Sequence, residues 1–294
     1  MQIKQSTFSR RLGNNLATQG KNRKDNKMTN KTLKALAKRL RSHLPAERKV
    51  LKREAEIIRD EIGSLKWSFF KNSPSKIFTF IFDEKPINCY LPTFDNDYIQ
   101  GTIFRSSNFF DIHTIKQADE FFKDKANILD IGANIGNNAI YYALIRNANK
   151  IYAFEPIKDT FETLCQNIEL NALQDKIYPY NVALGLQEGK AVIKNRPADN
   201  CGGTEIETDN NGDLIIKSLD SFEFDEKIDF VKIDVEGFEA QVLLGAKAFL
   251  NKHKPIIAIE IHAHKFEESS KVLQSLDYEI IKQISEYDFI CKTK

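Results

Sequence analysis

From residue 128 onward the chain alternates short β-branched apolar runs with longer helical stretches, and this alternation constrains the fold more than any other feature. The runs fall at 128–131, 151–154, 177–183, 230–235 and 256–261, with helical patterns at 137–145, 159–170, 238–250 and 266–276. Apolar strands joined through helices need right-handed crossovers, so the strands lie parallel and both sheet faces are covered. The last two runs, 278–284 and 287–292, are separated only by Ser285 and Glu286, which is too short for a crossover. The final strand must therefore run antiparallel to its predecessor. The expectation is an α/β fold: a doubly wound, mostly parallel seven-stranded sheet ending in an antiparallel hairpin. A strand pair at 77–82 and 88–91 and a helix at 111–122 lead into it.

The front of the chain is a different object. Residues 1–53 hold 16 Lys and Arg against Asp25 and Glu47, an excess of 14, whereas the whole chain has a net charge of only +2. The reading is a basic helical N-terminal extension on an acidic domain, with boundaries at 1–31, 32–73 and 77–294. Residues 1–31 are polar and basic with few large apolar side chains, and the expectation there is disorder. Arg10 and Arg11 give this segment some likeness to a mitochondrial transit peptide, but Gly13 interrupts its apolar stripe, and Met28 is an alternative start. Residues 32–66 read as two amphipathic helices broken at Pro45, with Leu33, Leu36, Leu40 and Leu44 on one face, and Leu51, Ala55, Ile58, Ile62 and Leu65 on the next. Their basic faces suit peripheral membrane contact, an oligomer contact or nucleic acid; a plain solvated face is the alternative. No run approaches the length of a spanning helix, and the basic start is followed by no apolar signal core. Cys89, Cys165, Cys201 and Cys291 are scattered, without a C-x-x-C pair, so the expectation is reduced thiols in a cytoplasmic protein and no zinc site.

Ligands of open α/β sheets lie beyond the carboxyl ends of the strands, where strand order reverses. The stretch Asp130-Ile-Gly132-Ala-Asn134-Ile-Gly136-Asn137 stands at that place, joining the first parallel strand to its helix. Its glycines permit a sharp turn and are expected to open room for a bulky ligand. Their spacing is G-x-x-x-G, not the G-x-G-x-x-G that cradles a pyrophosphate, and an acid at the strand tip would repel phosphate. The expected ligand is a cationic nucleoside without phosphates, bound by Asp130, Gly132, Asn134 and Gly136. Glu155 ends the next strand, 19 residues after Gly136, where a carboxylate can accept both ribose hydroxyl protons. Asn181, near the third strand's tip, suits either the base edge or strand capping.

DIGANIGNNAIYYA, FEP, NVALG, FVKIDVEGFEAQVLLGA and KPIIAIEIH together resemble the FkbM-type methyltransferase family over residues 88–290. The resemblance implies a class I methyltransferase fold with S-adenosylmethionine as cofactor. It also implies O-methylation of a hydroxyl on a small molecule or glycan. Two other readings stay open: an RNA methyltransferase anchored by the basic arm, though nucleic acid is the less favoured partner, and a non-enzymatic cofactor-binding scaffold.

Three residues are the expected catalytic set. Asp234 and Glu236 end the fourth parallel strand, where a carboxylate could hold the cofactor's amino-acid portion, deprotonate a hydroxyl or bind a divalent cation; helix capping is the alternative. Lys232 points to the same face as Asp234. His262, just past the fifth strand beside Glu260 and His264, has the side-chain chemistry of a general base. No ligand pattern accompanies the H-x-H pair, so no metal site is expected. The insertion 186–219, with Cys201-Gly-Gly-Thr204, reads as a flap over the acceptor or as an ordinary hairpin excursion.

Overall fold

A computed structural model of the chain describes residues 50, 52–54, 56, 57 and 60–294. The tail expected at 1–31, the helix at 32–44 and the break at Pro45 lie outside the described residues. The chain divides into two compact units, Met1–Lys66 and Trp67–Lys294. In the first, residues 60–66 are helical, and Ile62 and Leu65 are exposed.

The second unit opens with a hairpin, β1 (Ile77–Phe82) and β2 (Lys85–Tyr90). Asp83 and Glu84 both have positive φ, 46° and 63°, the backbone that a two-residue turn between right-twisted strands demands. Phe80 is buried against Phe109, while Phe78 packs on Phe70 and Phe104. The outer edge of β2 is satisfied by asparagines of the helix Lys158–Leu170 and its cap: Asn167 Oδ1 accepts from Tyr90 N at 2.6 Å, and Asn171 Oδ1 accepts from Asn88 N at 3.0 Å. No sequence expectation covers the helix Tyr98–Ser106 that follows. Its start is fixed by Asp97, whose side chain accepts from Gln100 N.

The main sheet contains β3 (Asn127–Ile131), β4 (Lys150–Phe154), β5 (Ile177–Tyr180), β10 (Phe230–Ile233), β11 (Ile256–Glu260), β12 (Tyr278–Gln283) and β13 (Asp288–Thr293), in the order β12-β13-β11-β10-β3-β4-β5. The five strands β11, β10, β3, β4 and β5 are parallel, and β13 is antiparallel to both of its neighbours. The doubly wound sheet with its closing hairpin is therefore as expected. The hairpin also doubles back, so that β13 lies between β11 and β12. Residues alternate between two cores: Ile128, Ile151 and Phe230 face one, and Leu129, Ile131, Val231 and Ile233 the other.

Two expected elements differ. The helix expected at 238–250 is two helices, Glu239–Leu244 and Lys247–His253. The Gly245 carbonyl accepts from Ser218 Oγ (2.7 Å) and Asp220 N (3.0 Å). The Asp220 carboxylate in turn accepts from Ala248 N and Phe249 N, starting the second helix. The insertion supplies β7 (Gly189–Asn195), β8 (Glu205–Thr208) and β9 (Leu214–Lys217) of a second sheet, which β6 (Ala183–Leu184), just before it, completes; a 3₁₀ turn, Cys201–Gly203, lies between β7 and β8.

Candidate active site

Strand order reverses at β3, with β4 and β5 on one side and β10 and β11 on the other. A cavity of about 390 Å³ opens at the carboxyl ends of these strands, within the size range of small-molecule sites. Its floor is the pair of loops that follow β3 and β10, and these loops touch. A Cβ on Gly132 would lie 1.7 Å from the Asp234 carbonyl oxygen, and Gly132 has φ +79°. A Cβ on Gly136 would meet Leu164 Cδ1 at 2.8 Å. The expectation that these glycines clear space for a ligand is thus corrected, because protein atoms fill the space. Gly132 lines the cavity, whereas Gly136 stands outside it.

Asp130 and Lys232 are direct neighbours across β3 and β10. Asp130 is completely buried, and neither of its oxygens accepts a hydrogen bond of good geometry. Its nearest cation is Lys232 Nζ, at 3.8 Å. The same ammonium donates to Asp234 Oδ2 at 3.0 Å and to the Gly132 carbonyl at 3.2 Å, fastening the two loops together. Burial alone would lower the Lys232 pKa, but Asp234 and Asp130 outweigh it and hold the ammonium above its usual range. Burial pushes Asp130 upward, against the opposing pull of Lys232. Asp130 is therefore not on the cavity wall; Lys232 is.

Glu155 follows β4 and lines the cavity while 6% exposed. Its Oε2 accepts from Asn134 N at 3.0 Å and its Oε1 from Ile157 N at 2.9 Å, so the two loops share one carboxylate. Burial raises its pKa to about 7, although those two N–H donors pull the other way. Each oxygen keeps a lone pair for a hydroxyl donor. Asn134 has φ 51° and also lines the cavity. Asn181 does not: its Nδ2 donates to the Glu155 and Pro156 carbonyls at 2.9 and 3.0 Å, which is strand capping.

At the opposite end stand Asp234, Glu236 and His262, all on the cavity wall. The nearby helix starts only at Glu239, capped by Phe238, so neither Asp234 nor Glu236 serves as a cap. Glu236 adopts φ 51°, a backbone that non-glycine residues hold at a cost of about 1–3 kcal/mol. The turn is braced by Glu239 Oε1, which accepts from Gly237 N at 2.8 Å. In this conformation Glu236 Oε2 lies 3.0 Å from His262 Nε2, and Glu260 Oε1 lies 3.9 Å from the same nitrogen. Burial and then the charge of Asp234 push the Glu236 pKa up, opposed by His262. Glu260 is also pushed up, by burial and by Asp234. Among the described residues no group of three or more His, Cys, Asp or Glu is arranged to hold a metal ion.

Sequence reading missed the wall formed by Tyr98, Ile99 and Phe110 and its link to the insertion. Asp97 Oδ2 accepts from Cys201 N at 2.8 Å, and Tyr98 N donates to Asp199 O at 2.7 Å. Arg196 donates to both Asp159 oxygens. The Cys201–Gly203 turn is thereby strapped across the cavity. An aspartate followed by an apolar periodic run was the available signal for Asp97.

Residues 130–291 match the methyltransferase FkbM domain. The hexuronic acid methyltransferase AglP of Haloferax volcanii is 31% identical over 169 residues, covering 55% of this chain and 67% of that protein. A solved methyltransferase FkbM from Methylobacillus flagellatus superposes with a TM-score of 0.46 and 18% identity, over 67% of this chain and 52% of that one. A putative tRNA (m1A22) methyltransferase from Streptococcus pneumoniae gives 0.42 and 12%, over 61% and 68%. Among the described residues no helix is long and apolar enough to cross a membrane. By the extent of the domain match and the likeness to the haloarchaeal enzyme, the chain belongs to the FkbM methyltransferase family and is an S-adenosylmethionine-dependent methyltransferase.

Proposed function

We propose that this enzyme methylates a hydroxyl oxygen of a glycan or small molecule, with Glu236 as the general base. The observation that carries this reading is the Glu236–His262 pair, 3.0 Å apart, in the wall of the cavity that also holds Glu155.

The residues fit the cofactor. Glu155 has one free lone pair on each oxygen, suited to the two ribose hydroxyls, and a pKa that such donors would bring down. Phe154, Ile157, Val182 and Leu184 give that end an apolar lining for a flat base. Lys232, Asp234 and the loop at Gly132 and Asn134 remain for the charged amino-acid portion, with Asp130 acting from behind through Lys232. When bound, the cofactor supplies an electrophilic methyl group carried on a sulfonium.

The chain's own residues supply position and a proton acceptor. With Glu236 ionised, His262 must carry its proton on Nε2 and donate it to Oε2. That nitrogen then cannot accept the acceptor's proton; we assign the proton to Glu236 Oε1, with His262 Nδ1 as the other open acceptor on the pair. His262 acts as the positioning partner, holding Glu236 in its strained backbone. The base's raised pKa brings it nearer to working pH, where proton transfer is most efficient. The relative named for hexuronic acid supports a carbohydrate acceptor.

The test is transfer of labelled methyl from S-adenosylmethionine to carbohydrate extracts. The wild-type protein should label a base-stable ether. Glu236→Gln should lose about 10²–10⁴-fold in kcat while binding S-adenosylhomocysteine normally. Label found only in RNA or protein, or full activity in Glu236→Gln, would overturn the reading.

A further inference from the structure

A second cavity of about 470 Å³ lies beside the first, bordered by β8, the helix Glu239–Leu244 and the turn Ala263–Lys265. The two cavities share four residues: Ile206, Glu236, Phe238 and His262. The Glu236–His262 pair is therefore the partition between them and presents to both.

The wall of the second cavity is mostly polar. Lys194 is paired with Glu205 at 2.9 Å and Lys265 with Glu268 at 3.2 Å, and Thr208 and Gln241 add both donors and acceptors. Both lysines on the wall are thus matched by carboxylates, and Glu207 and Glu236 leave the acids in excess. Such a surface disfavours a phosphodiester backbone, and apart from the imidazoles of His262 and His264 it offers no basic group that is not already paired with a carboxylate. It does provide closely spaced hydrogen-bond partners of both kinds, which a ring bearing several hydroxyls can use at once.

We infer that this second cavity is the acceptor subsite and takes a neutral, polyhydroxylated ligand such as a sugar ring, with one hydroxyl directed at Glu236. The inference rests on the methyl-transfer reading above and adds a place and a charge preference to it. The bond formed is from the sugar oxygen to the methyl carbon; the bond broken is from that carbon to sulfur, and the hydroxyl proton goes to Glu236.

Thr208 is exposed on β8 at the mouth of this cavity, where a strand readily carries an aromatic side chain. Thr208→Trp should fill the cavity without touching the cofactor site. The full chain loaded with S-adenosylhomocysteine is probed by saturation-transfer NMR. The probes are a panel of neutral methyl hexopyranosides, methyl β-D-glucuronide and an oligoadenylate. Neutral hexopyranosides should give the strongest signals, and Thr208→Trp should weaken them about tenfold while leaving S-adenosylhomocysteine affinity and melting temperature at wild-type values. Gln241→Ala should weaken the same signals to a smaller extent. Silence from every hexopyranoside, signals undiminished in Thr208→Trp, or preferential binding of the glucuronide or oligoadenylate would overturn the inference. Calorimetry separates the two readings: failure to bind S-adenosylhomocysteine counts against methyl transfer itself, whereas normal cofactor binding with silent sugars counts only against the acceptor subsite.

Discussion

Lys232→Met should be among the most damaging single changes in the sheet, and the structure says how large the damage is. The ammonium lies between a fully buried carboxylate and a partly exposed one, 3.8 Å from Asp130 and 3.0 Å from Asp234, with its side chain 14% exposed. Methionine conserves the volume but leaves Asp130 buried without compensation, a change that costs about 3–5 kcal/mol. In a domain of this size that is a fall in melting temperature of roughly 6–20 °C. Asp130→Asn alone should cost only about 1–2 kcal/mol, because Lys232 keeps Asp234. The double variant Asp130→Asn/Lys232→Met should therefore be more stable than the sum of its parts, by about 1–3 kcal/mol. The deficit also has a pH signature. Without Lys232 only the Ala139 backbone N–H opposes the burial and the Asp234 charge that raise the Asp130 pKa, so the folded form holds a proton that the unfolded form has lost. Stability then falls as pH rises from the unfolded carboxylate range toward the raised folded value, and the gap from wild type is smallest in acid. Thermal and urea denaturation across pH reads all of this. A Lys232→Met protein melting within about 2 °C of wild type, or strictly additive variants, would refute the reasoning.

Three further outcomes are expected. With a Glu155 pKa of about 7 in the free protein and a ligand that favours the ionised form, calorimetric affinity for S-adenosylhomocysteine should weaken up to about tenfold per pH unit below that value and level off above it; a flat profile from pH 5 to 8 would rule this out. Gly132→Ala puts a Cβ 1.7 Å from a backbone oxygen at φ +79° and should cost at least about 3 kcal/mol by denaturant melt. Gly189→Ala, with nothing within 4 Å, should stay within about 0.5 kcal/mol; equal effects in the two would contradict the close-contact account. Asp97→Ala removes both the helix cap and the anchor of the Cys201–Gly203 turn. It should lower stability by about 1–2 kcal/mol and speed release of S-adenosylhomocysteine in stopped flow, and an unchanged release rate would show that the turn is no barrier.

Much of this was legible because it is local or periodic. The alternation of runs from Ile128, and the two-residue gap at Ser285 and Glu286, dictated a parallel sheet with a reversed last strand. Glu155 could be placed because a strand tip and its spacing from Gly136 require no tertiary knowledge. Other features depend on contacts between distant segments. Asp130 looked like a ligand contact until its cross-strand neighbour Lys232 was seen to screen it from the cavity. The Glu236–His262 pair joins two strand tips 26 residues apart through a left-handed backbone conformation that no periodicity announces. The break at Gly245 is caused by Ser218 and Asp220, nearly thirty residues upstream. Asn181 was ambiguous in sequence, and in the structure its amide bonds only to backbone carbonyls.

The position of β13 between β11 and β12 bears on how the enzyme is made. Strand β11 carries Glu260 and leads into His262, and its outer edge has no partner until β13 docks. Strand β12, which precedes β13 in the chain, leaves that edge open, since in the finished sheet it pairs only with β13. A chain whose closing hairpin has not docked therefore presents an open row of backbone donors and acceptors beside the Glu236–His262 pair, a ready template for pairing with another chain. The Ile261 N–H, just before His262, is satisfied by the Tyr287 carbonyl at 2.8 Å. This edge of the sheet is closed, and protected from self-association, only when the β12–β13 hairpin folds back.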